Sequence, residues 1–120
     1  MDPVIKADWV EHLRSGEYPQ TDGYLHIKTP GLEKKADRFC CLGVLCEMAV
    51  EAGVVVRFGE CADGVHGYRD PDSEVVSTHL PNISVKRWAG LQEDQINNLS
   101  RMNDEGRSFE YLANVIEQEM

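Results

Sequence analysis

The chain has few bases and few aromatics, and no apolar run long enough to span a bilayer. Twelve Lys and Arg stand against twenty-one Asp and Glu, a formal charge of −9. Nonspecific nucleic-acid binding runs on cations displacing counterions, so direct contact with nucleic acid is disfavoured. Anionic membranes are disfavoured for the same reason. The imbalance is uneven: residues 1–60 carry ten acids and seven bases, residues 61–120 eleven and five. The longest uncharged apolar run, Phe39 to Cys46, falls far short of the ~20 residues of a membrane span. The first eight residues have neither the basic start nor the apolar stretch of a signal peptide, and a cytoplasmic location is expected. Metal-ligand spacing is also missing, with no Cys-x-x-Cys and no His-x₃₋₅-His, so no metal and no cofactor is expected. Cys40, Cys41 and Cys46 crowd into seven residues and Cys61 stands apart, a poor disulfide framework that reads as reduced thiols.

What remains is the composition of an ordinary soluble domain, 42% hydrophobic and 28% charged over 120 residues, and it predicts one compact unit spanning 1–120. Ile5, Trp9 and Leu13 share a helical stripe, giving a first helix over 4–15 stopped by Gly16. Residues 24–27 suggest a short strand, halted at Thr29-Pro30-Gly31, and a charged approach over 33–38 leads to the densest apolar segment. From Phe39 to Ala52 apolar residues occupy most of the helical circumference, with Glu47 and Glu51 on one charged stripe. Such a helix is a buried one. Gly53 is its stop. Gly43 inside it costs about 1 kcal/mol against Ala, which implies close approach by a backbone or a ligand.

Strands follow at 54–58, 65–68 and, more weakly, 74–78, with a helical turn at 84–88 ended by Gly90. A helix over 93–102 turns at Asn103-Asp104-Glu105-Gly106, where Asx-turn capping explains the first two residues. Ser108 then caps a helix with Phe109, Leu112, Ala113 and Ile116 on one face. The fold class is α+β: a small antiparallel sheet on a buried central helix, closed by a C-terminal helical hairpin.

That hairpin is no DNA reader, because its second helix carries Glu110, Glu117 and Glu119 and no base. It is no calcium loop either, since Leu112 stands where the bidentate Glu belongs. The catalytic candidate is Cys40 or Cys41 at a helix start. There the dipole lowers a thiol pKa, Arg38 adds positive charge, and His66 or His79 would arrive from strands, oriented by Asp63 or Asp70. The competing reading is that cysteines in the most apolar segment simply fill space. Trp9, Tyr18, Tyr24, Trp88 and Tyr111 offer stacking faces for a planar ligand, and Arg14, Lys28, Arg38, Arg57 and Arg69 could hold its phosphates.

Three blocks carry a resemblance: Trp9 through Leu25, with Leu13-Arg14-Ser15-Gly16-x-Tyr18-x-Gln20; Phe39-Cys40-Cys41-Leu42-Gly43-Val44-Leu45-Cys46; and Met102-Asn103-Asp104-x-Gly106-x-Ser108-Phe109 with the helix after it. Together they resemble an uncharacterised family of small bacteriophage and prophage proteins. Residues 54–79 lie outside the likeness, Met102 replaces an expected leucine, and Gln92 replaces an expected capping Ser or Thr. The resemblance transfers no catalytic role. It implies a phage accessory protein, a class rich in inhibitors of host enzymes and binders of host nucleotides, counter-defence among their roles.

The leading reading is a non-enzymatic binding protein that captures a host protein or a small nucleotide-like ligand, with Arg38, Cys40, Gly43, Asn103 and Asp104 as candidate contacts. One alternative is a cysteine-dependent hydrolase or transferase using Cys40 or Cys41 with His66 or His79. The other is an acidic inhibitor occupying a nucleic-acid site on a host protein. Homo-oligomerisation is left open.

Overall fold

The computed structural model describes residues 1–28, 37–62 and 64–120. The expected stop at Thr29-Pro30-Gly31, the charged approach through residue 36, and Asp63 lie outside them.

Helix α1 is Pro3–Arg14. Asp2 caps it, its Oδ1 accepting from the Val4 and Ile5 amides at 2.9 and 3.0 Å, and Pro3 enters the first turn where its missing N–H costs nothing. Trp9, Val10 and Leu13 are its buried stripe. Strand β1 is His26–Lys28 and β2 is Asp37–Phe39. The second is a correction: Phe39 was expected to open the central helix, but it ends a strand paired to β1, with His26 opposite it.

The central helix α2 is Cys41–Glu51, buried on nearly every side, as its apolar circumference requires. Gly53 follows it at φ 77°, a left-handed conformation that costs other residues steric strain. Strand β3 is Val56–Ala62 and β4 is Val65–Arg69. The sheet is antiparallel throughout, in the order β2-β1-β4-β3, with a bulge or irregularity between Phe58 and Ala62. The strand expected at 74–78 is reduced to a bridge. Tyr68 and Ser77 exchange backbone hydrogen bonds at 3.0 and 2.8 Å, and the Leu25 amide donates to Thr78 O at 2.8 Å. Too few of its backbone groups find ladder partners to extend the pairing.

Helix α3 is Ile83–Ala89, capped by Asn82. Helix α4 is Glu93–Asp104 and α5 is Phe109–Glu119. Gln92 substitutes for the expected hydroxyl cap by a different bond: its own amide donates to Gln95 Oε1 at 2.9 Å. Ser108 Oγ accepts from the Tyr111 amide, and the expected face of Phe109, Leu112, Ala113 and Ile116 is buried. The α5 helix lies along α1, where Arg14 binds Glu117 and Asn114. The expected α+β architecture is the observed one. Among the described residues no helix is long and apolar enough to cross a membrane.

Candidate functional site

The Phe-Cys-Cys-Leu-Gly block runs from the end of β2 into the first turn of α2, where four backbone amides of any helix need partners from outside the helical ladder. Here the protein supplies partners for three of them. Cys40 is the N-cap, its Sγ accepting from the Gly43 amide at 3.4 Å, and its own amide donates to Leu25 O at 3.3 Å. The Cys41 amide donates to Asn103 Oδ1 at 3.1 Å. The Cys41 carbonyl accepts from Trp9 Nε1 at 3.0 Å, so helices α1, α2 and α4 meet at one point.

Asn103 is 2% exposed and makes three side-chain hydrogen bonds. Besides Cys41, its Oδ1 accepts from Gln20 Nε2 at 3.0 Å, and its Nδ2 donates to Thr21 O at 2.7 Å. Asp104 Oδ1 accepts from the Gly23 amide at 2.9 Å. The turn expected at Asn103-Asp104 is therefore corrected. Both residues belong to α4, and they tie it to residues 20–23 and to the start of α2. Of the five candidate ligand contacts, the fold gathers Cys40, Gly43, Asn103 and Asp104 around this junction. Arg38 stands apart, exposed on β2. Gly43 is the clearest case of an internal use. A Cβ there would lie 1.8 Å from Leu25 O, so what approaches it is backbone and not a ligand.

The thiol activation that the cysteine-dependent alternative needs is opposed by burial, in keeping with cysteines that fill space. Burial pushes the Cys40 thiol up to about 11, and Cys41 and Cys46 are also raised well above the ordinary thiol value by burial, because desolvation outweighs the amide dipoles of the helix start. Cys41 Sγ points at Leu99 O, 3.9 Å away. Among the described residues no hydrogen bond joins a cysteine sulfur to an imidazole. Of the four thiols only Cys61 is exposed. A thiol reagent added to the native protein is expected to modify the exposed Cys61 and to reach the other three only on unfolding. Fast native modification of Cys40 would restore the hydrolase reading.

Of the candidate histidines, His66 lies on β4 as expected, but His79 is corrected to a loop. There its ring lies tilted against Tyr24, centroids 4.7 Å apart, and it bonds Thr78 Oγ1 at 2.9 Å. Asp70, expected to orient a histidine, accepts from Asn82 Nδ2 instead.

The histidine with the most unusual surroundings is one that sequence reasoning left unweighed. His26, 7% exposed, stacks between Phe39 at 4.4 Å and His66 at 4.9 Å, its register partners on β2 and β4. Its Nε2 donates to Asp37 Oδ1 at 3.2 Å, since a carboxylate only accepts. Nδ1 is then a buried lone pair without a partner among the described residues. Burial lowers the His26 pKa, although Asp37 and Glu47 pull it back up. His66 and Tyr68 are the other titratable groups facing it.

Below its unfolded value of 6.5 the unfolded chain binds a proton that the folded chain refuses. Stability is therefore full above pH 6.5 and falls as the pH drops towards the folded value, by up to about 1.4 kcal/mol per pH unit. Thermal melts between pH 7 and about 5 should show this loss, and His26→Phe, which keeps the stack, should flatten it. An unchanged slope in that variant would mean His26 is not the group responsible. Nothing in the local sequence marked His26, because its neighbours come from strand register.

A second cluster was also missed. Glu47, expected on one charged stripe with Glu51, accepts from Tyr68 Oη at 2.6 Å and from Arg57 at 2.8 Å, clamping α2 to β3 and β4. Tyr68 is 1% exposed, and burial beside Glu47 raises its pKa strongly.

The bases expected to hold phosphates are largely committed. Arg14 binds Glu117 and Glu110, Arg57 binds Glu47, and Arg69 Nη1 donates to the carbonyls of Asp70, Pro71 and Ser73. Of the stacking candidates, Trp9 is fully buried, Tyr18 packs edge-on against Phe39, and Tyr111 lies under Arg107. Tyr24 and Trp88 keep accessible surface. Among the described residues no three His, Cys, Asp or Glu side chains group as metal ligands.

No curated protein and no solved structure matches the chain. A family model does. It includes residues 54–79, which the sequence resemblance left out. The model is that of a domain of unknown function, DUF8296, and it covers residues 1–120, so the protein belongs to that family.

Proposed function

We propose that the protein works by binding, and that its target is a protein with a basic surface rather than a nucleotide. One observation carries this reading: among the described residues, five of its cations are turned onto its own carboxylates and carbonyls. Arg14, Arg57, Arg101 and Lys86 each pair with a glutamate, and Arg69 is spent on three backbone oxygens. A phosphorylated ligand would have to displace those partners. A basic protein meets the surplus of acids directly, and complementary charge would speed its encounter.

The resemblance to phage proteins sets the context of the proposal: a host protein in the host-cell cytoplasm, including one whose basic face otherwise holds nucleic acid. The junction at the start of α2 is the scaffold of this binder, its polar groups satisfied internally. The cysteine-dependent alternative has no geometric support of its own, given the buried, raised thiols.

The test is affinity capture from bacterial lysate with the full chain, paired with thermal-shift measurements against nucleotides. A basic partner retained at low salt and released by moderate salt is expected, with no nucleotide raising the melting temperature. A nucleotide-induced shift without protein capture, or measurable turnover, would overturn the proposal.

A further inference from the structure

One face of α1 from Val4 to His12, the C-terminal end of α2 and the end of α3 enclose an open groove of about 490 Å³. Its position follows from a backbone tie, the Asp2 amide donating to Ala89 O at 2.9 Å, which holds the start of α1 against the end of α3. Val4, Met48 and Trp88 supply apolar wall. Val4 is 77% exposed and Trp88 half-buried, whereas most large apolar residues of α1 and α2 are buried. Asp8 and Glu11 on α1 face Glu51 on α2 across the groove, and neither Lys nor Arg lines it. His12, also in the wall, is engaged with the Asp8 carbonyl at 2.7 Å.

We infer that this groove is the docking site for a basic amphipathic helix of the partner protein. This inference rests on the binding reading above and deepens it. The chemistry selects the occupant. An apolar stripe would bury against Trp88 and Met48, residue types that suit an interface anchor and an adaptable wall. Lys or Arg flanking that stripe would meet carboxylates on both rims, the arrangement used when an amphipathic helix lies in a groove. A second copy of this chain would set acidic rim against acidic rim, and a phosphorylated ligand would be repelled.

The probe is a synthetic Leu/Lys helix with one apolar stripe. Its controls are the same composition scrambled to destroy the stripe, and a Leu/Glu counterpart. Binding is read by tryptophan emission and by backbone amide shifts in the full-length protein. Trp9 is fully buried and bonded to Cys41, so emission changes report on Trp88. The striped Leu/Lys helix is expected to bind and to shift amides of α1, α2 and α3 around the groove; the scrambled peptide is expected to bind more weakly.

The double variant Glu11→Lys/Glu51→Lys alters only exposed side chains. It is expected to lose about tenfold in affinity for Leu/Lys and to gain affinity for Leu/Glu. Asp72→Lys/Glu74→Lys, an equal charge change at exposed positions outside the groove, should do neither. No binding, equal binding of the scrambled peptide, amide shifts elsewhere, equal losses in both double variants, or self-association in place of peptide binding would each overturn the assignment. A natural partner still captured by Glu11→Lys/Glu51→Lys would remove the groove while leaving the binding reading intact. Failure of the unmodified chain to capture any basic partner would remove that reading.

Discussion

Gly43→Ala is expected to destabilise the fold by more than about 3 kcal/mol, lowering the melting temperature by roughly 10 °C or more. Helix propensity alone predicts the opposite sign, since alanine in a helix interior is favoured over glycine by about 1 kcal/mol. Sterics decide the outcome. The new Cβ would sit 1.8 Å from Leu25 O and 2.7 Å from Leu25 C, and both are backbone atoms with no rotamer to change. The same carbonyl accepts from the Cys40 amide, so moving it away also breaks a bond at the helix start. Leu25 is fully buried, which leaves its segment little room to retreat. Urea denaturation of the two proteins measures the difference directly, and a neutral or stabilising Gly43→Ala would show that the contact is not a constraint.

Asn103→Ala should cost a comparable amount, about 3 kcal/mol, by a different route. The side chain occupies the point where α4, α2 and residues 20–21 converge, making three hydrogen bonds with one amide. Truncation leaves the Cys41 N–H and the Thr21 carbonyl without that partner in a buried site, and such losses carry the desolvation cost of each group. Asn103→Asp separates the contributions. It keeps acceptors for Cys41 and Gln20 but sets an oxygen against the Thr21 carbonyl, so its stability should fall between wild type and Asn103→Ala. Hydrogen exchange at the Cys41 amide gives the local readout, faster in Asn103→Ala than in Asn103→Asp. Equal protection of Cys41 in all three proteins would remove Asn103 from the cap.

These two residues also mark how far the chain could be read without its fold. Gly43 stood out as a costly residue in a buried helix, and close approach was the expected reason; that the neighbour would be Leu25 backbone was not visible. Asn103 was misread. Its Asn-Asp-x-Gly setting is genuine local turn chemistry, and the apolar periodicity of α4 ends beside it. The partners that keep it helical and buried lie 62 to 83 positions away. Cys40 was placed correctly at a helix start, and of its two readings, activated thiol or space-filling residue, burial favours the second. A dipole is a local property, whereas desolvation depends on everything packed around the sulfur.

By itself the sequence determined the α+β class, the buried central helix and the face of α5. Those follow from periodicity and from capping residues within a few positions of one another, interactions that a local window contains. It also determined the surplus of acid, which is arithmetic. Only the tertiary structure decided which polar groups remained available. Glu47 turned inward to Tyr68 and Arg57, His26 was closed between Phe39 and His66, and Arg14 met Glu117 between α1 and α5. Strand register and helix docking bring such partners together over long separations, and the pattern of neighbours along a chain does not encode the distance between residues far apart in it.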